Sequence, residues 1–391
     1  MTIDLRSMNR ATVLAELLIS SPTTRVAIAE ATRLSGATVT RVIDSLVEEG
    51  LVRDLHLLPA TGPGRRALLM EAIGRKFLSV GIDLGASNTR IVVMDLLGEV
   101  VMVDRAQTPA HLSAGELATW LSSLSRESVG DQWGSVAGFA VGLPGAVNPS
   151  TRAISNATHL AQIEDPMFLT SLEAELARTI DIDNDANYAL LGEQYFGAAR
   201  NATNSVMFTL GAGLGAGVMV EGRILRGTNG LVGEFGSLPV GPLGSRLEHM
   251  VTGSGIMLRA AQLGISLESP ADLFSPTADQ ATRMLRREFE QALVVAITAA
   301  VVSTDPEIVV FGGGIAASLD GTLDFLARAL TQNLRTAPVL AIAELADLSG
   351  ALGAGIRGLH MIYAEQGIPP EELARVPSLR HTDNALNLVR R

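Results

Sequence analysis

The sequence predicts an α/β protein in which a small helical domain precedes a larger domain of strands and helices. Three short helical patterns occupy the first 50 residues, and from Phe77 the pattern changes abruptly to apolar strands that end in glycine-rich turns. Charge divides the chain at the same place, because residues 1–76 carry ten Lys and Arg against eight Asp and Glu, whereas the whole chain has a net charge of −11. An acidic body repels nucleic acid, so any contact with DNA belongs to the N-terminal domain.

The first 50 residues predict three helices. The first has apolar residues at helical spacing and ends before Pro22, which cannot continue a helix. Thr23 or Thr24 can cap a second helix that runs through Ala31. A third helix is expected from about Ala37 to Glu49, with an inner face made of the apolar residues Val39, Val42, Ile43, Leu46 and Val47.

Three helices with a glycine-containing turn before the last are typical of a helix-turn-helix domain, whose third helix enters the major groove. Thr38, Thr40 and Arg41 would then face DNA. The strand, turn and strand that follow predict a wing, and Arg65 and Arg66 at its tip are placed to contact phosphate or the minor groove. The alternative is a small protein-contact module with a solvated arginine pair. The arginine-tipped wing favours DNA.

Composition excludes several kinds of site. Without cysteine the chain can form no disulfide, catalytic thiolate or cysteine zinc site. Lys76 is the only lysine, so nucleotide phosphates elsewhere would have to be held by backbone amides. The apolar run from Ala292 to Val302 is shorter than the roughly 20 residues that span a bilayer, and it predicts a buried helix. The first 20 residues lack the apolar core of a signal peptide, so we expect a cytoplasmic protein without a membrane partner.

Glycine-rich turns follow several predicted strands of the larger domain. Asp83 and Gly85 belong to a hairpin whose amides can approach phosphate and whose carboxylate can hold hydrated magnesium, although an ordinary hairpin would look similar. Two later turns offer further backbone amides for phosphate, and their candidate residues are Gly211, Gly213, Gly313 and Gly314. Asn184 and Asp185 lie where a strand meets a helix, a position from which Asp185 could act as a general base or simply help to cap the helix.

Taken in order, these segments resemble the ROK family, the repressors and sugar kinases that share an actin-like ATPase (ribonuclease H-like) fold. The motifs that carry the resemblance are GIDLGASNTR, VGLPGAV, IDNDAN, TLGAGLGAG, EGRILRGTNGLVGEFG, VVFGGGI and GALGAG. The resemblance implies a winged helix-turn-helix domain in residues 1–75 and a two-lobed, sugar-kinase-like sensor domain in residues 76–391. Lobe one would comprise residues 76–183 with a C-terminal helix at about 350–366, and lobe two would comprise about 184–349.

The resemblance also implies roles for individual residues. In the family, the aspartate that matches Asp185 is the catalytic base of the kinases. Residues that match Asn184, Asp185, Glu234 and Glu248 hydrogen-bond the sugar, and His159 stands where a family asparagine contacts it. Sugar hydroxyls require such carboxylates and carboxamides, because these groups accept and donate hydrogen bonds in fixed directions.

Two departures from the family pattern bear on cofactors. Gly85 is followed by Ala86 and Ser87, whereas the family has a second glycine and a threonine, and a methyl group there narrows the approach of a phosphate. Ser237 replaces the usual zinc-binding histidine, and the usual cysteines are absent. We therefore expect no zinc and no other bound metal. ATP and magnesium would be cofactors only if kinase activity is retained.

Three functions remain open at this point. The first is a sugar-responsive transcriptional repressor, a homodimer or homotetramer that binds double-stranded operator DNA and a sugar effector. The second is an ATP-dependent sugar kinase with an appended DNA-binding domain, and the third is a DNA-binding scaffold without a ligand. The winged domain and Ala86 favour the repressor over the kinase, and the retained sugar-binding residues argue against the scaffold.

Overall fold

Three helices and a three-stranded sheet form the N-terminal part of the computed structural model, which describes residues 5–57, 68–240, 246–373 and 375–376. In chain order its elements are α1 (Leu5–Ser20), β1 (Thr23–Thr24), α2 (Arg25–Thr32), α3 (Gly36–Glu48), β2 (Val52–Leu57) and β3 (Leu68–Ala72). The strands pair in the order β1-β3-β2, and both pairings are antiparallel. The two longer strands form the predicted hairpin, whose connecting residues 58–67 lie outside the described ranges.

Side-chain caps set the starts of the short helices. The Thr24 side chain accepts a hydrogen bond from the Ala27 backbone N–H, and Ser35 caps α3 by accepting one from Thr38. Helix α3 buries Val39, Ile43 and Leu46 as predicted. The assignment of Val47 to the inner face was wrong, because its side chain is 38% exposed. Residue 47 follows residue 46 by about 100° around the helix and so turns away from the buried stripe.

A five-stranded sheet forms the centre of the first lobe. Its elements are β4 (Leu78–Leu84), β5 (Asn88–Asp95), β6 (Val100–Gln107), α4 (Ala114–Val129), β7 (Val136–Leu143), β8 (Ala146–Val147), β9 (Ile154–Ser155), α5 (Pro166–Leu176) and β10 (Asp181–Asn184). The strand order is β10-β7-β4-β5-β6. Strands β4 and β5 form the expected antiparallel hairpin, whereas β4, β7 and β10 run parallel, so their carboxyl ends meet at one edge of the sheet.

A second five-stranded sheet, of order β13-β12-β11-β14-β15, forms the other lobe. The remaining elements are α6 (Asp185–Phe196), β11 (Ser205–Leu210), β12 (Leu214–Val220), β13 (Arg223–Ile224), α7 (Glu248–Val251), α8 (Gly253–Gln262), α9 (Gln280–Thr304), β14 (Ile308–Gly312), α10 (Leu323–Leu334), β15 (Val339–Ile342), α11 (Ser349–Glu365) and α12 (Pro370–Leu373). The helix predicted as buried is the second half of α9, and it is buried on one side only, since Val295 and Val302 are exposed. No helix in the described part of the chain is long and apolar enough to cross a membrane.

Helices α6 and α11 pack against each other between the two sheets. Glycine makes this close approach possible: a Cβ on Gly353 would lie 1.7 Å from the Tyr188 carbonyl oxygen, and one on Gly81 would lie 2.0 Å from the Gly355 nitrogen. The closing GALGAG motif therefore serves packing, because it lets α11 lie directly on β4 and α6.

The N-terminal helices share a hydrophobic cluster with the first lobe. One continuous cluster contains Leu14 and Leu17 of α1, Phe196 at the end of α6, and Ile362 and Tyr363 of α11. All five side chains are at most 2% exposed. The N-terminal part is therefore joined to the rest of the protein by a common apolar core as well as by the chain itself.

Candidate functional site

The carboxyl ends of three parallel strands bring the first candidate residues together. The register pairs Asp83 of β4 with Gly142 of β7, and Gly142 with Asp183 of β10. Helix α6 begins directly after β10, and a Cβ on Gly142 would lie 3.4 Å from the Cα of Asp185. A glycine at this position lets the start of α6 approach the strand ends. Asp83 and Asp185 consequently lie on the same edge of the first sheet.

Asn184 fixes the start of α6. Its side-chain oxygen accepts a hydrogen bond from the Ala186 backbone N–H at 2.9 Å, and its Nδ2 donates to the Gly145 carbonyl oxygen at 2.8 Å. The helix-cap interpretation therefore applies to Asn184. Asp185 is the first residue of the helix, and its Oδ1 lies 2.7 Å from the Ala186 nitrogen.

Two carboxylates from the second lobe face this edge. A Cβ on Gly215 of β12 would lie 3.7 Å from Asp185 Oδ1, so this strand runs beside the start of α6. Glu248 begins α7, and a Cβ on Gly213 would lie 3.1 Å from its Oε1. Glu234 precedes the short turn 235–237, and it is close enough to Asp185 to act on it by its charge and close enough to Glu248 to be acted on in turn.

Burial and the charges of neighbouring carboxylates raise the pKa values of Asp83, Asp185 and Glu234. Burial raises the pKa of Asp185 to about 7, and the negative charges of Asp83 and Glu234 act in the same direction. Burial raises the pKa of Asp83 to about 6 although the Arg90 guanidinium opposes the shift. The pKa of Glu234 is raised by burial and then by the charge of Glu248. Asp83, Asp185, Glu234 and Glu248 thus form one acidic cluster between the lobes.

Arg90 joins Asp83 to Asp347, two residues before α11, and Arg105 also pairs with Asp347; the sequence did not predict these contacts. Arg90 Nη1 lies 3.4 Å from Asp83 Oδ2, and Arg90 Nε donates to Asp347 Oδ2 at 3.0 Å. Arg105 Nε also donates to that oxygen at 3.0 Å. Asp347 lies more than 240 positions along the chain from both arginines, so no local sequence pattern indicates the contact. The network leaves Asp83 with a cationic partner supplied by the protein.

The two later glycine turns are neighbours. Strands β11 and β14 are parallel and pair Thr209 with Gly312, so the turns that follow them emerge side by side. Gly313 has a φ of +87°, and a Cβ there would lie 2.5 Å from the Leu210 carbonyl oxygen, so packing alone requires glycine. Packing also requires Gly85, where a Cβ would lie 2.8 Å from the Asn88 carbonyl oxygen.

Gly211 and Gly314 differ from the other glycines of these turns. A Cβ on either residue would meet no atom of the described chain within 4 Å, so both border open space. Packing does not explain glycine at these two positions. Of the predicted phosphate-binding residues, they are the pair that leaves room for a ligand to approach the backbone.

The other candidates lie on elements that do not contribute a residue to the acidic cluster. His159 is exposed in the turn after β9. Thr40 and Arg41 are exposed on α3, and the Thr38 hydroxyl lies 2.9 Å from that of Ser35 at the helix cap. The predicted wing-tip residues Arg65 and Arg66 lie outside the described residues. Within the described residues, no group of three or more His, Cys, Asp and Glu side chains is arranged to hold a metal ion.

The chain belongs to the ROK family, whose sequence model matches residues 79–357. The DNA-binding transcriptional dual regulator NagC of Escherichia coli strain K12 is 31% identical over 248 residues, which cover 62% of this chain and 59% of NagC. The chain therefore spans less than two thirds of the length of that relative.

Solved structures share the fold. The ROK hexokinase of Thermus thermophilus superimposes with a TM-score of 0.65 at 25% identity, over 74% of this chain and 100% of the hexokinase. A ROK family transcriptional regulator, a homolog of the E. coli MLC protein, superimposes with a TM-score of 0.72 at 19% identity, over 95% of this chain and 99% of that chain. These similarities confirm the predicted α/β, sugar-kinase-like fold.

Proposed function

We propose that the protein is a sugar-responsive transcriptional repressor of carbohydrate metabolism genes. One observation carries the proposal: a single chain joins an interlobe acidic cluster to an N-terminal domain whose third helix exposes Arg41. NagC, named as a DNA-binding transcriptional regulator, supports the assignment. The regulator structure that covers 95% of this chain supports an N-terminal domain of the same kind.

The N-terminal part would bind DNA as a winged helix-turn-helix domain. Helices α2 and α3 form the helix-turn-helix, and the β2–β3 hairpin is the wing. Thr38, Thr40 and Arg41 lie in the first half of α3, the part of a recognition helix that contacts base edges. Arg65 and Arg66 would add phosphate or minor-groove contacts.

The interlobe cleft would bind the effector. Asp185, Glu234 and Glu248 face one another from two lobes and offer carboxylate oxygens to sugar hydroxyls, with Asn184 holding the start of α6 in place. His159, the remaining candidate, would approach the sugar from the turn after β9. Closing the cleft on a sugar would change the relative position of two DNA-binding domains in a symmetric dimer or tetramer. The proposal includes a cytoplasmic location, no membrane partner and no bound zinc.

A kinase is the second candidate, and the Asp185 carboxyl group is the observation that favours it. Its pKa of about 7 suits a general base that accepts a proton from a sugar hydroxyl. Gly211 and Gly314 also leave room for a phosphate. Against a kinase, Asp83 is already paired with Arg90, which competes with any magnesium ion for the carboxylate. We therefore place phosphotransfer second.

A sugar screen tests the proposal and separates the two candidates. Glucose, mannose, xylose and N-acetylglucosamine are screened by thermal shift with and without ATP and magnesium, and the best ligand is then added to a DNA-binding titration. A repressor responds to the sugar without ATP and changes its affinity for operator DNA. Robust ATP-dependent phosphorylation of that sugar, eliminated in Asp185→Asn, would reverse the ranking, since an amide retains the shape of the side chain and cannot take the proton.

Glu248→Ala tests the cleft itself. It removes a carboxylate that faces the glycine turn, so the sugar response should disappear while basal DNA binding remains. The matched control is Glu221→Ala, which changes an exposed glutamate of the same lobe. Loss of the response in both variants, or in neither, would contradict the assignment of this cleft.

A further inference from the structure

Asp183 is a buried carboxylate at the end of β10, and only 2% of the residue is exposed. Its Oδ1 accepts hydrogen bonds from the Asn184 backbone N–H and from Asn187 Nδ2, both at 2.9 Å. Its Oδ2 accepts from Arg226 Nε at 2.8 Å and lies 2.7 Å from Arg226 Nη2. One oxygen therefore holds the start of α6, and the other holds an arginine from the second lobe.

Arg226 is the second residue of the segment 225–234, which leads from β13 to Glu234. The same segment contacts lobe one at two further points. Asn148 Nδ2 donates to Asn229 Oδ1 at 3.4 Å, and a Cβ on Gly230 would lie 2.1 Å from the Val147 carbonyl oxygen. A chain segment that belongs to the second lobe is thus docked on the first lobe.

The end of the segment packs against the second lobe. Gly233 has a φ of +100°, and a Cβ there would lie 2.0 Å from the Ala216 carbonyl oxygen of β12. The next residue is Glu234. Its position relative to Asp185 therefore depends on how the segment is seated on both lobes.

We propose that Arg226 is a positioning residue for the sugar site, which by pairing with Asp183 seats segment 225–234 on lobe one and fixes Glu234 opposite Asp185. The ion pair between Asp183 and Arg226 connects the two lobes at the residue that precedes Asn184, the N-cap of α6. Two nitrogens of the Arg226 guanidinium converge on the single oxygen Asp183 Oδ2, which fixes the direction of the contact as a single point charge does not. The inference rests on the proposed sugar-binding function of the cleft.

Effector titrations on the full-length protein test the proposal with the monosaccharide that gives the largest thermal shift. In Arg226→Ala, we expect the dissociation constant for that sugar to rise about ten-fold or more. Arg226→Lys retains the charge without the paired hydrogen bonds and should recover part of the affinity. Arg223→Ala is the control, because this exposed arginine lies in β13, three positions before Arg226. Wild-type affinity in Arg226→Ala would overturn the proposal.

A second variant controls for misfolding of the first, because Arg226→Ala leaves the buried Asp183 carboxylate without its cation. Asp183→Asn combined with Arg226→Leu removes both charges and should fold, yet it also releases the segment. It should therefore bind the sugar as weakly as the single variant. Wild-type affinity in this folded double variant would also overturn the proposal.

Hydrogen exchange of the sugar-free proteins separates this inference from the proposed function. Amides in segment 225–234 should exchange about ten-fold faster in the folded variants than in the wild type, while those of β4 and α11 remain unchanged. If no sugar binds the wild type, the proposed function fails, and the exchange rates still decide whether Arg226 seats the segment. Unchanged exchange in segment 225–234 overturns the positioning role in either case.

Discussion

Arg10 of α1 donates two hydrogen bonds to Gln366, one from Nη1 to the backbone carbonyl oxygen and one from Nη2 to the side-chain oxygen, each at 2.9 Å. The same guanidinium also pairs with Glu49 at the end of α3. One side chain therefore connects the first and third N-terminal helices to the residue that follows α11.

Replacing this arginine should loosen the attachment of the N-terminal domain. Arg10→Ala removes partly buried hydrogen bonds, so we expect the free energy of unfolding to fall by about 1–2 kcal/mol in urea titrations. The Arg10 hydrogen bond lowers the pKa of Glu49, so an NMR titration should show that pKa rising in the variant. Met8→Ala, an exposed change on the same helix, is the control. An unaltered Glu49 titration would contradict the expected contact.

Arginine replacements test the DNA-binding assignment. Arg41→Ala should weaken binding to a duplex selected from a random pool by about 1–3 kcal/mol and leave the fold intact, because the side chain is exposed. Arg65→Ala with Arg66→Ala should also flatten the salt dependence of binding, with the slope falling by about one for each phosphate that the protein no longer neutralises. Arg328→Ala on α10 supplies an exposed control outside the N-terminal domain. Wild-type affinity in both arginine variants would remove the assignment.

The acidic cluster should make stability depend on pH. An aspartate in the unfolded chain has a pKa of about 3.9, whereas the pKa of Asp185 is about 7 in the folded protein, so the folded state retains a proton that the unfolded chain loses. The contribution of Asp185 to the stability of the sugar-free protein should therefore fall as pH rises from about 4 to about 7. Asp185→Asn should flatten this slope in thermal unfolding, whereas Asp131→Asn, at an exposed position, should retain it. Parallel curves for all three proteins would refute the shift.

The free energy of unfolding should be sensitive to the replacement of one carboxylate oxygen of Glu193, in α6, by an amide nitrogen. The residue is fully buried, and its carboxylate accepts hydrogen bonds from the backbone N–H groups of Ala198, Glu344 and Leu345 and from the Ser349 hydroxyl. Glu193→Gln turns an amide donor toward some of these donors, so we expect a loss of about 3 kcal/mol in urea unfolding. Glu127→Gln on the exposed face of α4 should have almost no effect. A loss below about 1 kcal/mol would contradict this account.

Elemental analysis of the purified protein should show no stoichiometric zinc. The chain has no cysteine, and Ser237 stands where the family usually has a zinc-binding histidine. Inductively coupled plasma mass spectrometry before and after dialysis against EDTA provides the measurement. One zinc ion per chain that survives dialysis would demonstrate a histidine and carboxylate site that the sequence does not indicate.

Local patterns predicted the elements that local physics determines. The capping threonine of α2, the β4–β5 hairpin and the buried stripe of α3 all follow from the periodicity and chemistry of neighbouring residues. Asp83, Asp185 and Glu234 lie in the quoted family motifs, whereas Glu248 lies outside them and was predicted from the family resemblance alone. The contacts of Asp183 with Arg226 and of Asp347 with two arginines were not predicted, because each joins residues that are far apart in the sequence. Their geometry depends on how the lobes pack, and no residue pattern encodes that directly.

The apolar cluster shared by α1, α6 and α11 limits how this protein can be recombined. A chimera that transferred residues 1–75 to a foreign effector domain would lose the part of this cluster that lies outside the N-terminal domain, together with the contact between Arg10 and Gln366. Changes in the shared cluster affect the packing of both domains, so the two are expected to vary together among relatives. For protein engineering, the transferable unit is the N-terminal domain together with α11 and Gln366, the residue that follows it.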